Sequence, residues 1–362
     1  MMQKRRLVIP PSFCDNRGKD SRRTVMFTFE MKRDDFTVLN LTDMQLNEYH
    51  YDPADPRYDN SYDIFDHTVR VLIDRVKPDL ITITGDLSMA DQPKAYPALA
   101  DYLDAYGIPW CAVWGNHEEQ DVTKWVDFVY EFLPYFHTKK HFFHEDGDPA
   151  MGNGNYTIGI CREGKPVHTL FMMDSHNCVW LPDETGVKHF YYDKLNETQI
   201  AWYKEQAALL KAEGCTHSSI LLHIPIHAYK LAWEAAIRED IDPKSITIEE
   251  SYGASCWNPG YEASFGVGWE EVACYPYDDG VFAAIQEIGT TENVISGHVH
   301  TDNFVIPYQG VRMAFATKTG KVHPFRYPLN GGTVISIHAD GHSDLRHEYV
   351  EIKDLLTPEE LA

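Results

Sequence analysis

The stretch VLNLTDMQLNEY, residues 38–49, begins as a strand and ends as something else. Val38, Leu39 and Leu41 form the kind of continuous apolar run that a strand covered on both faces needs. The run stops at Asp43, with Gln45 two residues on. A carboxylate at a strand's end lies on the rim where open α/β sheets bind their ligands. A second ligand two residues later would ordinarily be His, which binds transition metals better than an amide does. The stretch therefore poses a question about Gln45: a working site, a weakened one, or a strand end without chemistry.

Outward from it the same pattern repeats. FTVLNLTD (36–43) precedes the helical period YDIFDHTVRVLIDRV (62–76), PDLITITGD (78–86) precedes a helical stretch near 93–106, and IPWCAVWGN (108–116) precedes DVTKWVDFVYEFL (121–133). Apolar strands alternating with helical periods predict a layered α/β core. HTLFMMDS (168–175) and SSILLH (218–223) read as further strands, flanking a helix over 196–214 that Asn196 opens and Gly214 closes. A helix over 279–288, a strand at 293–296 and short strands near 303–307, 311–316, 333–338 and 346–352 follow. Residues 238–277, rich in Gly, Pro, Ser and aromatics, read as a long loop insertion, either capping a site or tolerated at the surface. The expected organisation is a lead-in over 1–35, one domain over 36–353 and a tail over 354–362.

The chain has 362 residues, with 55 acidic against 32 basic side chains and a net charge of −23. Such a field repels polyphosphate backbones and attracts cations, so a nucleic-acid partner is not expected. No segment approaches the roughly 18 apolar residues that span a bilayer. The basic start MMQKRRLVIPPSFCDNRGKDSRR lacks the apolar core of a signal peptide, and seven scattered cysteines form no CxxC pair. A cytoplasmic protein without a membrane partner is the expectation. The sequon at Asn40 falls inside an apolar strand, where a glycan has no room.

The chemistry gathers at the strand ends. The first strand ends in Asp43, the second in Gly85-Asp86, and the third in Gly115-Asn116-His117-Glu118. The strand at 218–223 ends in His223, and the one near 293 in Gly297-His298-Val299-His300. Each alone has a bland reading, a turn aspartate or a core histidine. Carboxylates, imidazoles and amides at all five ends are harder to attribute to chance. Together they have the chemistry to hold two ions, with one carboxylate between them. Two metals about 3.5–4 Å apart activate water and stabilise an in-line phosphoryl displacement.

The ordered set Asp43-Met44-Gln45, Gly85-Asp86, Gly115-Asn116-His117-Glu118, His223 and Gly297-His298-Val299-His300 resembles the calcineurin-like metallophosphoesterases. The spans YDKLNETQIAWY (192–203) and HIPIHAYKLAW (223–233) are similar to the branch related to purple acid phosphatases. The resemblance implies a four-layered α/β/β/α sandwich with two mixed sheets. It implies a binuclear centre of divalent or trivalent ions (Mn, Fe, Zn or Ni) whose bound hydroxide attacks the phosphorus of a small phosphorylated substrate. Asp86 would bridge the metals, Asp43, Gln45 and His300 would complete the first position, and Asn116, His223 and His298 the second. His117 would face the substrate as a catalytic group. The alternative is a non-catalytic relative that binds metal or phosphate on the same scaffold. Tyr96, Tyr102 and Tyr106 fall on a predicted helix, so no tyrosine is expected to give a purple iron centre. Weaker candidates are Glu118, expected to orient the loop, His227, Lys318, which reads as a surface lysine, and the aromatics Tyr191, Tyr192, Tyr252 and Trp257. Replacing Gln45 by His is expected to tighten the first position.

Overall fold

The computed structural model describes residues 26–89, 92–119, 129–146, 148–322 and 324–361. Its first part runs β1 (Met26–Glu30), β2 (Asp35–Leu41), α1 (Ser61–Val76), β3 (Leu80–Thr84), α2 (Ala95–Asp104), β4 (Trp110–Val113), α3 (Asn116–Glu119) and α4 (Val129–Phe136). Strands β5 (Tyr156–Arg162), β6 (Lys165–Met172), β7 (Cys178–Pro182) and β8 (Lys188–Tyr192) come next, then α5 (Glu197–Ala212), β9 (His217–Leu221), α6 (Ala228–Ala236) and α7 (Ile248–Ser251). The chain closes with α8 (Val281–Ile288), β10 (Thr291–Ser296), β11 (Val305–Tyr308), β12 (Val311–Phe315), β13 (Gly331–His338) and β14 (Ser343–Tyr349).

Two mixed sheets result, one ordered β1-β5-β6-β9-β10-β12-β11 and the other β14-β13-β2-β3-β4. Successive side chains of a strand point to opposite faces, so each apolar run feeds two cores. Val38 and Leu80 meet Ile158, Leu170, Leu221 and Ile295 between the sheets. Leu39, Leu41, Ile81 and Ile83 point the other way and pack with Ile64, Leu72, Leu99 and Phe132 from α1, α2 and α4. On the far face of the larger sheet, Ile220 and Val294 pack with Tyr203, Tyr229 and Ile285 from α5, α6 and α8. Three cores separate four layers, the α/β/β/α sandwich that the sequence resemblance implied.

Three parts of the sequence reading change. Residues 26–30, assigned to the lead-in, pair with β5 in parallel from Met26↔Thr157 to Glu30↔Cys161, so the fold extends N-terminally at least to Met26. The insertion at 238–277 contains only short helical turns, yet Ile246, Ile248, Cys256, Trp257, Val267 and Trp269 are buried in the outer core. It is a packed wall, tied to the GHVH segment where Asp302 Oδ1 accepts from the Trp269 and Glu270 backbone N–H groups. The hairpin β7–β8, paired from Cys178↔Tyr192 to Pro182↔Lys188, has no counterpart in the sequence reading. Of the helix expected over 121–133, only the part from Val129 falls within the described residues. Asn40 is buried, with its amide donated to Thr84 Oγ1. Among the described residues no helix is long and apolar enough to cross a membrane, and six cysteines are free.

Candidate metal centre

Strands of both sheets deliver the site from one rim: Asp43 follows β2, Asp86 follows β3, Asn116 follows β4, His223 follows β9, and His298 and His300 follow β10. The chain turns sharply at these exits. Asp43 (φ 51°), Gln45 (51°), Asp86 (53°) and His298 (78°) all adopt left-handed backbone conformations that cost a non-glycine residue on the order of 1–3 kcal/mol each. Two glycines are required by close approach alone. A Cβ on Gly115 would collide with the Asp86 carboxylate, and one on Gly297 would collide with the Thr42 hydroxyl and lie 2.7 Å from Asp43 Oδ2. Glu118 stitches the exits together. Fully buried, its Oε2 accepts from the N–H groups of Asp86 (2.8 Å) and Gly115 (2.7 Å), and its Oε1 from Leu87 (2.8 Å) and Ser88 (3.3 Å).

Asp43, Asp86 and His223 each offer a ligand atom within 4.8 Å of the others. His223 Nδ1 donates to the Thr84 carbonyl at 2.7 Å, which aims Nε2 inward at Asn116 Oδ1 (3.1 Å), His298 Nδ1 (3.2 Å) and Asp86 Oδ1 (3.3 Å). On the other side of Asp86, His300 Nε2 lies 3.2 Å from Asp43 Oδ1. Gln45 Nε2 lies 3.1 Å from Asp86 Oδ2 and 3.3 Å from His300 Nε2. The two oxygens of one carboxylate thus face two separate groups of ligand-type atoms. His117 binds Asp86 Oδ1 through its backbone N–H at 3.1 Å. Its ring, 28% exposed, keeps Nε2 3.8 Å from Asp86 Oδ2.

The electrostatics favour carboxylates in their charged form. Burial opposes charge on Asp43, but the His300 hydrogen bond and the charges of His300, His223 and Lys318 outweigh it and hold the carboxyl well below its usual range. Asp86 is likewise held low against burial, by His223 and His117 above all. Burial pulls His223 down, but Asp86 and Asp43 push it up to about 9, so a proton sits where acceptors converge. Burial and the neighbouring His223 charge push His298 down to about 3. The buried His298 Nε2 and His300 Nδ1 have no hydrogen-bond partner among the described residues. Converging acceptors of hard and imidazole type, with orphaned imidazole nitrogens, fit divalent metal ions.

Every residue proposed as a ligand from sequence therefore reaches the same place, with one qualification: Gln45 presents its nitrogen, because its oxygen is engaged elsewhere. Lys318, read from sequence as a surface lysine, is 2% exposed and donates from Nζ to Gln45 Oε1 and to the Asp43 carbonyl, both at 2.9 Å. Its placement depends on partners 273 and 275 residues away, and the flanking small residues Thr317, Thr319 and Gly320 are the only local hint of burial. Glu118 orients the loops, as expected. His227 donates its backbone N–H to Asp279 Oδ2, and its ring Nδ1 meets the Tyr275 carbonyl. Trp257 is core, its Nε1 donated to the Ser251 carbonyl, and Tyr252 stacks on Phe265. Tyr192 stands edge-on to His298 with ring centroids 4.1 Å apart, and Tyr191 beside it is half-buried.

Comparison with known proteins gives the family and the fold. Residues 36–302 match the calcineurin-like phosphoesterase family, and the chain belongs to it. It is 30% identical over 172 residues to Phosphatase DCR2 of Saccharomyces cerevisiae, covering 44% of this chain and 29% of that protein. It is 25% identical over 274 residues to "Probable inactive purple acid phosphatase 14" of Arabidopsis thaliana, covering 67% of this chain and 59% of that one. The chain thus spans less than two thirds of each of these relatives. The fold is shared with a dimetal phosphatase from Danio rerio, at a TM-score of 0.54 and 14% identity over 86% of this chain and 95% of that one.

Proposed function

We propose that this calcineurin-like phosphoesterase is a metal-dependent hydrolase of phosphoric esters, a phosphatase or phosphodiesterase acting on a small phosphorylated substrate. The observation that carries the reading is the division of Asp86: Oδ1 lies 3.3 Å from His223 Nε2, which also meets Asn116 and His298, while Oδ2 lies 3.1 Å from Gln45 Nε2, which also meets His300 beside Asp43. Asp86 would hold both ions, with Asp43 and His300 on one and Asn116, His223 and His298 on the other. Two ions so held supply an activated water and neutralise charge on the phosphoryl oxygens.

The remaining roles belong to the chain's own residues. Glu118 fixes the Asp86 and Gly115 backbones, so the bridging carboxylate is positioned before substrate arrives. His117 is pinned by its backbone N–H while its ring stays open to solvent, free to hydrogen-bond a phosphoryl oxygen or protonate the leaving oxygen. Tyr192 limits the swing of the His298 ring.

Several relatives carry names that call them inactive, which motivates a second reading, a binding protein on the same scaffold. His117 beside six converging ligand residues, Asp43, Asp86, Asn116, His223, His298 and His300, supports catalysis instead. The test is metal content and cleavage of aryl phosphate monoesters and diesters with Mn, Fe, Zn or Ni supplied. Under about one ion per chain and no cleavage of either ester would refute the hydrolase. Bound metal with no turnover would favour the binding protein.

A further inference from the structure

We propose that Lys318 makes Gln45 a hydrogen-bond donor and not a metal ligand, so that the two metal positions differ sharply in strength. The Asn116–His223–His298 position holds its ion firmly, and the Asp43–His300 position binds an ion reversibly through three protein ligands, Asp86 included. The inference rests on the two-metal reading and deepens it.

An ammonium has three donors and no acceptor. Lys318 Nζ spends two on the Asp43 carbonyl and Gln45 Oε1, each at 2.9 Å. Turning the Gln45 amide over would set its NH₂ against that ammonium, with the buried lysine left short of a partner. Such an unmet buried donor costs about 1–3 kcal/mol, more when charged. The amide is therefore held one way round, oxygen to Lys318 and NH₂ inward, where Nε2 lies 3.1 Å from Asp86 Oδ2. An amide NH₂ offers no lone pair to a cation; it offers hydrogens. The vertex that a ligand should fill carries the wrong end of the amide.

Lys318 cannot easily swing away. The segment after β12 is clamped to the exit of β2, with the Thr319 N–H donated to the Thr42 carbonyl (3.0 Å) and the Thr42 N–H to Thr319 Oγ1 (3.1 Å). The Gly331 N–H holds the Lys318 carbonyl at 2.9 Å, and Gly320 lies so close to the Met44 backbone that a Cβ would collide with it. The ammonium also bears on the same carboxylates, Asp43 and Asp86, whose charge an ion would need. Two separate effects, a withdrawn ligand and a neighbouring ammonium, thus weaken the same position.

The experiment titrates metal-free protein with Mn²⁺ by calorimetry and counts the Mn retained after desalting. The native chain should retain about one ion and bind a second at least about tenfold more weakly. Lys318→Met should tighten the second ion by about tenfold or more, since a unit charge a few ångströms from a divalent ion matters even at high effective dielectric. The firmly held ion, still retained after desalting, reports that the variant is folded. Two ions of equal affinity in the native chain, or no tightening in Lys318→Met, would overturn the inference. Should Lys318→Met not fold, Gln45→Met serves: removal of a non-ligand leaves the weaker affinity within about twofold, and a fall of tenfold or more would mean that Gln45 is a ligand. Binding of no ion by any of these proteins would overturn the metal centre itself, a different failure with its own signature.

Discussion

His117 is the residue at which catalysis and architecture separate most cleanly. Its link to the centre is the backbone N–H donated to Asp86 Oδ1, which alanine retains, and its ring is 28% exposed with only a long 3.8 Å pairing to Asp86 Oδ2 to lose. His117→Ala should therefore leave metal content and thermal stability nearly unchanged. A positioned proton donor contributes about 10²–10⁴ in rate, or about 2.7–5.4 kcal/mol of barrier at 1.36 kcal/mol per tenfold. The loss should depend on the leaving group: smallest for p-nitrophenyl phosphate, whose phenolate departs without help, and largest for an alkyl phosphate, whose alkoxide needs the proton. The assay is kcat on both esters, with metal counted on the same preparation. A fall of less than about tenfold on the alkyl ester would refute the assignment, as would loss of bound metal.

Glu118→Gln keeps one oxygen for two backbone N–H groups and turns an NH₂ on the other two. It also removes a buried ionisable carboxyl whose pKa burial and Asp86 push up to about 8. A net destabilisation of about 2–4 kcal/mol is expected in denaturant unfolding, and unchanged stability would refute the stitching role. Gly297→Ala forces a methyl into the Thr42 hydroxyl and Asp43 carboxylate, and should lower metal affinity by about 10–100-fold; equal affinity would show that the close approach is not required. Metal-free protein should lose stability between pH 6.5 and 8. The folded chain raises His223 from 6.5 to about 9 and Glu118 from 4.5 to about 8, so it holds protons there that the unfolded chain releases. Melting with chelator at the two pH values checks this. A higher Tm at pH 8 would refute it, and bound metal should flatten the slope by displacing the His223 proton.

What the sequence makes legible follows from burial. Strands β2, β3 and β4 are covered on both faces, so their apolar runs are continuous and the polar residues that end them stand out. Strands β1 and β8 lack that signal: Phe27 and Phe29 are only partly buried beside exposed neighbours, and Lys188, His189 and Phe190 are exposed. A period of two over so few residues does not rise above the background of loops. Residues 238–277 defeat the reading in another way, because Trp257 and Trp269 are buried in the core without belonging to any helix or strand that would give them a period. Lys318 is the extreme case, since its burial is decided wholly by the distant loop that carries Asp43 and Gln45.

That contact also changes what Gln45 can be exchanged for. From sequence, Gln45→His looks like the restoration of a better ligand. With Lys318 in place, an imidazole at this position would have to accept the ammonium's hydrogen bond on one nitrogen and carry its proton on the other, which then faces Asp86 as a donor. The single variant should therefore leave the weaker metal affinity within about threefold of the native chain, a difference of only about 0.6 kcal/mol. In Gln45→His with Lys318→Met, the imidazole is free to turn a lone pair inward, and affinity for zinc should rise by more than the sum of the two single effects. That excess is a coupling energy, measurable as a double-mutant cycle on calorimetric titrations. Additive behaviour would mean that lysine and glutamine do not act as one unit, and a large gain in Gln45→His alone would mean that the ammonium does not dictate which end of residue 45 faces the metals.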